Sequence, residues 1–136
     1  PTRPVVIGFG PAGMFAALTL ARLGYAPLVL ERGGDVDSRV AAVEGFWKDG
    51  SFDTRSNVQF GEGGAGTFSD GKLTTGIKSP LFDRCCKSYT SRCAGGDFIR
   101  RQAHIGTDRL AVVVQNIRKK LSAWGARCAW NVGWRI

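Results

Sequence analysis

The chain has 136 residues, of which 43% are apolar, so it has the size of one domain and can supply a hydrophobic core. Its net charge is +8, but the Lys and Arg residues are spread along the sequence and accompany no nucleic-acid-binding motif. The charge therefore favours a solvated surface that attracts an anionic ligand, with a basic nucleic-acid-binding module as an alternative. No apolar run approaches the roughly 20 residues of a membrane span and no signal peptide precedes the first strand, which predicts a cytoplasmic protein with neither membrane nor nucleic-acid partners.

The N-terminal part of the chain predicts a βαβ unit. Apolar residues 4–8 predict a strand, the Ala-rich run 11–23 predicts a helix that ends at Gly24, and residues 27–31 predict a second strand. The connection at residues 8–13, here named the first glycine turn, carries three glycines, and an acidic residue ends the second strand. This order of parts is typical of a dinucleotide-binding site.

Each residue type in this pattern has a physical role. Gly8 permits a tight turn, Gly10 lets a phosphate group approach the main chain, and Gly13 lets the helix pack closely on the strand. The helix N-terminus presents amides and a positive dipole to phosphates, and Pro11 fits there because its missing N–H needs no helical partner. Glu31, eighteen residues after Gly13, can accept hydrogen bonds from ribose hydroxyls.

The rest of the chain predicts two further helices and two short strands. Residues 35–48 predict a helix that ends at Gly50 and buries Val40, Val43, Phe46 and Trp47. Thr107 predicts the N-cap of another helix, which buries Leu110, Val113, Val114, Ile117, Leu121 and Trp124. Residues 127–130 predict a strand that returns to the first sheet, parallel to the others, and residues 132–136 predict a further short strand.

A second glycine-rich stretch, residues 60–73, is named the second glycine segment and lies within a long irregular region at 51–80. Long irregular runs in compact domains often carry function. The glycines expose main-chain amides that can surround an anion, and Thr67, Ser69 and Lys72 add donors. The segment is therefore predicted to contact a phosphate or an electron-rich ring edge; the alternative is a flexible surface loop.

The four cysteines and the single histidine match no zinc-binding pattern. Cys85 and Cys86 are adjacent, unlike a redox-active CxxC pair, so we expect reduced thiols and no metal site. His104 and Asp108 are candidates for an acid/base pair, but Gly106 between them favours a structural histidine. No catalytic residue is assigned from the sequence.

Four segments together resemble a bacterial protein family. They are residues 6–13, 30–33, 57–73 and 104–108. The family comprises FAD-dependent dehydrogenases, also described as NAD(P)/FAD-dependent oxidoreductases. The resemblance covers most of residues 4–80 and returns at 104–121, and its last two segments are not general features of flavoproteins with two dinucleotide sites.

The resemblance implies a Rossmann-like FAD-binding domain of the α/β class, with a parallel sheet flanked by helices. Residues 1–136 would form an incomplete part of this domain, a fragment whose substrate domain lies outside the chain. The implied activity is that of a flavin-dependent oxidoreductase with FAD as cofactor. Its small-molecule substrate and electron acceptor are unassigned, and NAD(P)H is a candidate partner. An NAD-binding oxidoreductase domain is the alternative, because Glu31 suits the ribose of either cofactor.

The resemblance also implies a set of cofactor-binding residues. The first glycine turn would hold the FAD pyrophosphate, Glu31 would bind the adenosine ribose, and Arg32 and Arg39 would lie near the adenosine and phosphates. The second glycine segment would approach the pyrophosphate or the isoalloxazine, and Val132 would lie near the adenine. The full set is Gly8, Gly10, Pro11, Ala12, Gly13, Glu31, Arg32, Arg39, Gly64, Ala65, Gly66, Thr67, Lys72 and Val132.

Overall fold

The structure, a computed structural model, describes residues 2–68 and 107–133. The described chain is of the mixed α/β class. In chain order its elements are strand β1 (Val5–Ile7), helix α1 (Pro11–Arg22), strand β2 (Leu28–Leu30), helix α2 (Val36–Asp49), a 3₁₀ helix (Gly64–Phe68), helix α3 (Thr107–Ala123) and strand β3 (Arg127–Ala129).

The three strands form a parallel sheet in the order β1-β2-β3, so β2 is central. Val6 of β1 pairs with Val29 of β2, which pairs in turn with Cys128 of β3. The prediction that residues 127–130 return to the first sheet as a parallel strand is confirmed. Val132 and Gly133, at the start of the predicted strand 132–136, are not in a strand, and residues 134–136 lie outside the described part of the chain.

One face of the sheet carries the hydrophobic core, which lies between the strands and helices α1 and α3. The core cluster consists of Val6, Phe9, Met14, Ala17, Ala21, Val29, Val36, Val113, Val114, Ile117, Leu121 and Ala126. The helical spacing of the α3 residues explains why they share one buried face. On the opposite face of β1, Val5 and Ile7 are 54% and 68% exposed.

Helix α2 has the ends that the sequence predicts. Asp35 is its N-cap and accepts a hydrogen bond from the Ser38 amide, while Gly50 adopts the left-handed conformation after the last turn. The prediction that Phe46 and Trp47 are buried is wrong, because their exposed fractions are 37% and 75%.

The exposed aromatic residues of α2 pack on the surface instead of in the core. Phe46 makes edge-to-face contacts with both Trp47 and Phe52, and these three side chains line an open cavity of about 290 Å³. The buried positions of α2 are Val36, Arg39 and Val43, so a charged residue occupies part of the face that faces inward.

Candidate functional site

The first glycine turn has the local geometry that the sequence predicts. Gly8 has a φ of +88°, which side chains disfavour, and its amide donates to the Leu30 carbonyl at 2.8 Å. A Cβ on Gly13 would lie 1.9 Å from the Gly8 carbonyl oxygen, so only glycine permits this contact between helix and turn. A Cβ on Gly10 would meet no protein atom within 4 Å. The turn is thus tightly packed on its inner side and open beside Gly10.

The N-terminus of α1 is suited to an anion. Gly10 is the N-cap residue, Pro11 follows it at the start of the helix, and the first turn contains no acidic residue. The Gly10 carbonyl accepts the first helical hydrogen bond, from the Met14 amide at 2.9 Å. Because no carboxylate occupies this turn, the positive end of the helix dipole remains available to a negatively charged group.

The second glycine segment lies directly against the first glycine turn. The Gly63 amide donates to the Phe9 carbonyl at 2.8 Å. A Cβ on Gly64 would be 3.3 Å from the Gly10 Cα, and Gly64 has a φ of +60°, so a side chain there would be both crowded and strained. Two glycine-rich stretches that are distant in the sequence therefore meet beside the N-terminus of α1.

Glu31 ties three loops together through its carboxylate. Its side chain is 5% exposed. The Oε2 atom accepts a hydrogen bond from the Phe9 amide at 2.6 Å, and the Oε1 atom accepts from the Gly33 amide at 2.9 Å and the Gly61 amide at 3.1 Å. The structure therefore gives this carboxylate three main-chain partners within the protein, while the predicted contact with a ribose stays a prediction.

Arg39 is enclosed by the loop that precedes α3 and has no exposed surface. Its guanidinium donates to the main-chain carbonyl groups of Asn57, Val58, Glu62 and Gly64 and to the Thr67 hydroxyl. Burial lowers the Arg39 pKa to about 10, which leaves the side chain positively charged at neutral pH. Arg39 thus shapes the second glycine segment from within, and any effect that it has on a ligand passes through this segment.

Glu62 is a buried acid that the sequence did not single out. Its Oε2 atom accepts a hydrogen bond from the Val36 amide at 2.8 Å and lies 3.2 Å from Nη1 of Arg118. Its Oε1 atom is buried and has no hydrogen-bond partner among the described residues. Burial raises the Glu62 pKa to about 7, so this carboxyl group changes charge near neutral pH.

Arg118, on α3, joins Glu62 to the start of α2. Besides Glu62, its guanidinium lies 3.4 Å from the Asp35 carboxylate and 3.8 Å from that of Asp37. It also lies over the Trp130 ring, 5.8 Å from the ring centroid. These contacts fix the second glycine segment relative to α2 and α3.

The remaining predicted site residues lie around this centre or outside the described residues. Arg32 is exposed, donates to the Thr54 carbonyl at 2.7 Å and stacks over Phe60, and Val132 donates through its amide to the Glu31 carbonyl at 3.0 Å. Thr67 is buried and donates to the Glu62 carbonyl at 2.9 Å. Pro11, Ala12 and Ala65 are exposed, and Gly66 is half-buried. Outside the description are Ser69, Lys72, Cys85, Cys86, Cys93, His104 and the side chain of Asp108.

The described residues offer no redox or metal chemistry of their own. Cys128 lies on β3 as a free thiol, and burial raises its pKa to about 11, which disfavours the reactive thiolate. Within residues 2–68 and 107–133, no three Cys, His, Asp or Glu side chains cluster as a metal site would require. In these same ranges, no helix has both the length and the apolar character needed to cross a bilayer.

No known protein-family profile matches the chain. It is 55% identical, over 130 residues, to an uncharacterized protein of Clostridium beijerinckii. The alignment covers 95% of this chain and 24% of the relative. The chain therefore spans about a quarter of the length of this relative, whose description assigns it no activity.

Proposed function

We propose that the chain is the FAD-binding portion of a flavin-dependent oxidoreductase and that its sheet belongs to a Rossmann-like domain. The observation that carries this proposal is the meeting of the two glycine-rich stretches. Gly63 bonds to Phe9 and Gly64 lies beside Gly10, at the point where α1 begins. Glycine-rich turns at a helix N-terminus are a common way to hold the diphosphate of a dinucleotide.

The local geometry fits a diphosphate group. The space beside Gly10 would be partly filled by any side chain at that position, whereas Gly13 lacks a side chain for reasons of helix packing. The two glycines thus differ: one serves the fold, and the other leaves room for a ligand. The main chain of the first glycine turn and the N-terminal amides of α1 would hold the pyrophosphate, with the second glycine segment beside it.

The bound FAD would supply the electron or hydride transfer, and this chain would supply binding and orientation. Glu31 and Arg39 serve that role indirectly, because their hydrogen bonds hold the two glycine-rich stretches in place. Three quarters of the C. beijerinckii relative lies outside the aligned region. We assign the substrate and electron-acceptor sites to such additional chain in a longer protein.

A titration with FAD tests the proposal. The chain is titrated with FAD while the fluorescence of the flavin is followed, and a parallel titration uses NAD. Saturable FAD binding that is tighter than NAD binding supports the proposal. Tighter binding of NAD would favour an NAD-binding oxidoreductase domain instead. Absence of binding for both would refute a dinucleotide site.

A further inference from the structure

The main chain of Glu62 is a junction between the second glycine segment and helix α2. The Glu62 amide donates to the Gly34 carbonyl at 2.9 Å. Its carbonyl accepts hydrogen bonds from Arg39 and Thr67. The next residue, Gly63, makes the contact with the first glycine turn. The position of Glu62 therefore determines where the second glycine segment meets that turn.

The carboxyl group of Glu62 is held equally firmly, but it is not fully satisfied. It has no exposed surface, and Oε2 is engaged by the Val36 amide and by Arg118. The Oε1 atom accepts no hydrogen bond from the described residues. A buried carboxylate with one unpaired oxygen is costly, and addition of a proton removes the charge that causes the cost.

The charged and titratable groups around Glu62 come from every element packed against it. They are Asp35, Asp37 and Arg39 of the α2 region, Arg118 of α3, and Cys128 of β3. Burial together with Asp35 and Asp37 favours the protonated form, whereas Arg118 and the Val36 hydrogen bond favour the carboxylate. The burial effect is the largest, and the Glu62 pKa rises from 4.5 to about 7.

We infer that Glu62 is a positioning residue for the dinucleotide site, and that seating of the second glycine segment against the first glycine turn takes up a proton at its carboxyl group. This inference rests on the proposed function. A glutamate exposed on an unseated segment has an ordinary pKa and is ionised at neutral pH, whereas the seated one retains its proton up to about neutrality. The negative charge of a nearby diphosphate acts in the same direction.

The proposal predicts a pH dependence of FAD binding that belongs to one side chain. Between pH 6 and pH 8, the Kd of the full chain for FAD is expected to rise roughly tenfold, since closure on the ligand takes up a proton that becomes scarcer. The variant Glu62→Gln keeps the shape and cannot take up the proton, so its Kd is expected to be independent of pH. Glu44→Gln, an exposed acid on α2, is the matched control and should follow the wild type.

A second variant keeps the test decisive if Glu62→Gln does not fold. Arg118→Met removes the cation that favours the carboxylate, so the midpoint of the pH dependence is expected to move to higher pH. A wild-type Kd that does not change between pH 6 and pH 8 would overturn the inference. A pH dependence that survives in Glu62→Gln, or a midpoint that Arg118→Met leaves unmoved, would overturn it as well.

Amide hydrogen exchange separates this inference from the proposed function. If FAD binds at no pH, the proposed function fails, but the protection factor of the Gly63 amide still reports whether the segment is seated. Protection that falls between pH 6 and pH 8 in the wild type, and not in Glu62→Gln, would support the positioning role. Equal pH profiles in the two proteins would overturn it.

Discussion

Replacement of Arg39 by methionine removes the guanidinium at the centre of the second glycine segment and keeps an unbranched side chain. Arg39 donates to four carbonyl groups and one hydroxyl within residues 57–67. Hydrogen bonds from a charged group contribute roughly 1.5 kcal/mol or more each, and loss of the donor leaves buried acceptors unpaired. The opposing cost of burying the charge is about 3 kcal/mol, since its pKa falls from 12.5 to about 10. We therefore expect Arg39→Met to lower the free energy of unfolding by about 4 kcal/mol.

Urea unfolding followed by circular dichroism measures this loss. The control is Arg32→Met, because Arg32 is exposed and has a single hydrogen bond to Thr54 together with a contact to the Phe60 ring. Its free energy of unfolding should change by less than about 1 kcal/mol. If Arg39→Met were as stable as Arg32→Met, the hydrogen-bonded guanidinium would not be what holds the segment, and the reasoning would be refuted.

Three further predictions concern stability. Gly13→Ala should lose about 2 kcal/mol or fail to fold, because its Cβ would meet the Gly8 carbonyl oxygen at 1.9 Å; an unchanged melting temperature would contradict the packing described here. The free energy of unfolding should fall by about 2–3 kcal/mol from pH 5 to pH 8, since the unfolded chain releases the Glu62 proton near pH 4.5 and the folded chain near pH 7; urea unfolding across this range should show no such fall in Glu62→Gln. Asp35→Ala should lose about 1 kcal/mol through the lost hydrogen bond to Ser38 at the start of α2, and a thermal melt equal to that of the wild type would argue against this cap.

The parts of the fold that the sequence predicted depend on local physics. The three glycines of the first turn, the cap at Asp35 and the apolar spacing of α3 each act over a few neighbouring residues. Their conformations are therefore readable from short patterns. The return of β3 to the sheet followed from the alternation of strands and helices, for which a parallel sheet is the usual solution.

The parts that the sequence did not predict depend on contacts between distant residues. Arg39 bonds to groups 18 to 28 positions further along the chain, and Glu31 bonds to an amide 30 positions away. A basic residue and an acidic residue near a glycine turn suggest contacts with a ligand, and only the folded chain shows their protein partners. The position of Arg39 between Val36 and Val43 on one helical face was the available signal that it points inward.

Glu62 and Trp47 show the same limit from opposite sides. Glu62 stands among glycines, where nothing in the local pattern indicates burial, yet it has no exposed surface. Trp47 belongs to an apolar run that predicts burial, yet it is 75% exposed. Burial of an individual side chain depends on what the tertiary fold places above it, and a hydrophobic pattern alone does not contain that information.

The most direct test of a dinucleotide site beside Gly10 is calorimetric titration of FAD into the Gly10→Ala variant. The main chain at Gly10 has a φ of −74°, and no protein atom would lie within 4 Å of the new methyl group, so the fold should be retained. Gly45→Ala, in helix α2, is the matched glycine control. The account predicts that Gly10→Ala melts like the wild type and loses FAD binding at least tenfold, while Gly45→Ala binds normally. FAD binding of undiminished affinity in a folded Gly10→Ala protein would contradict it.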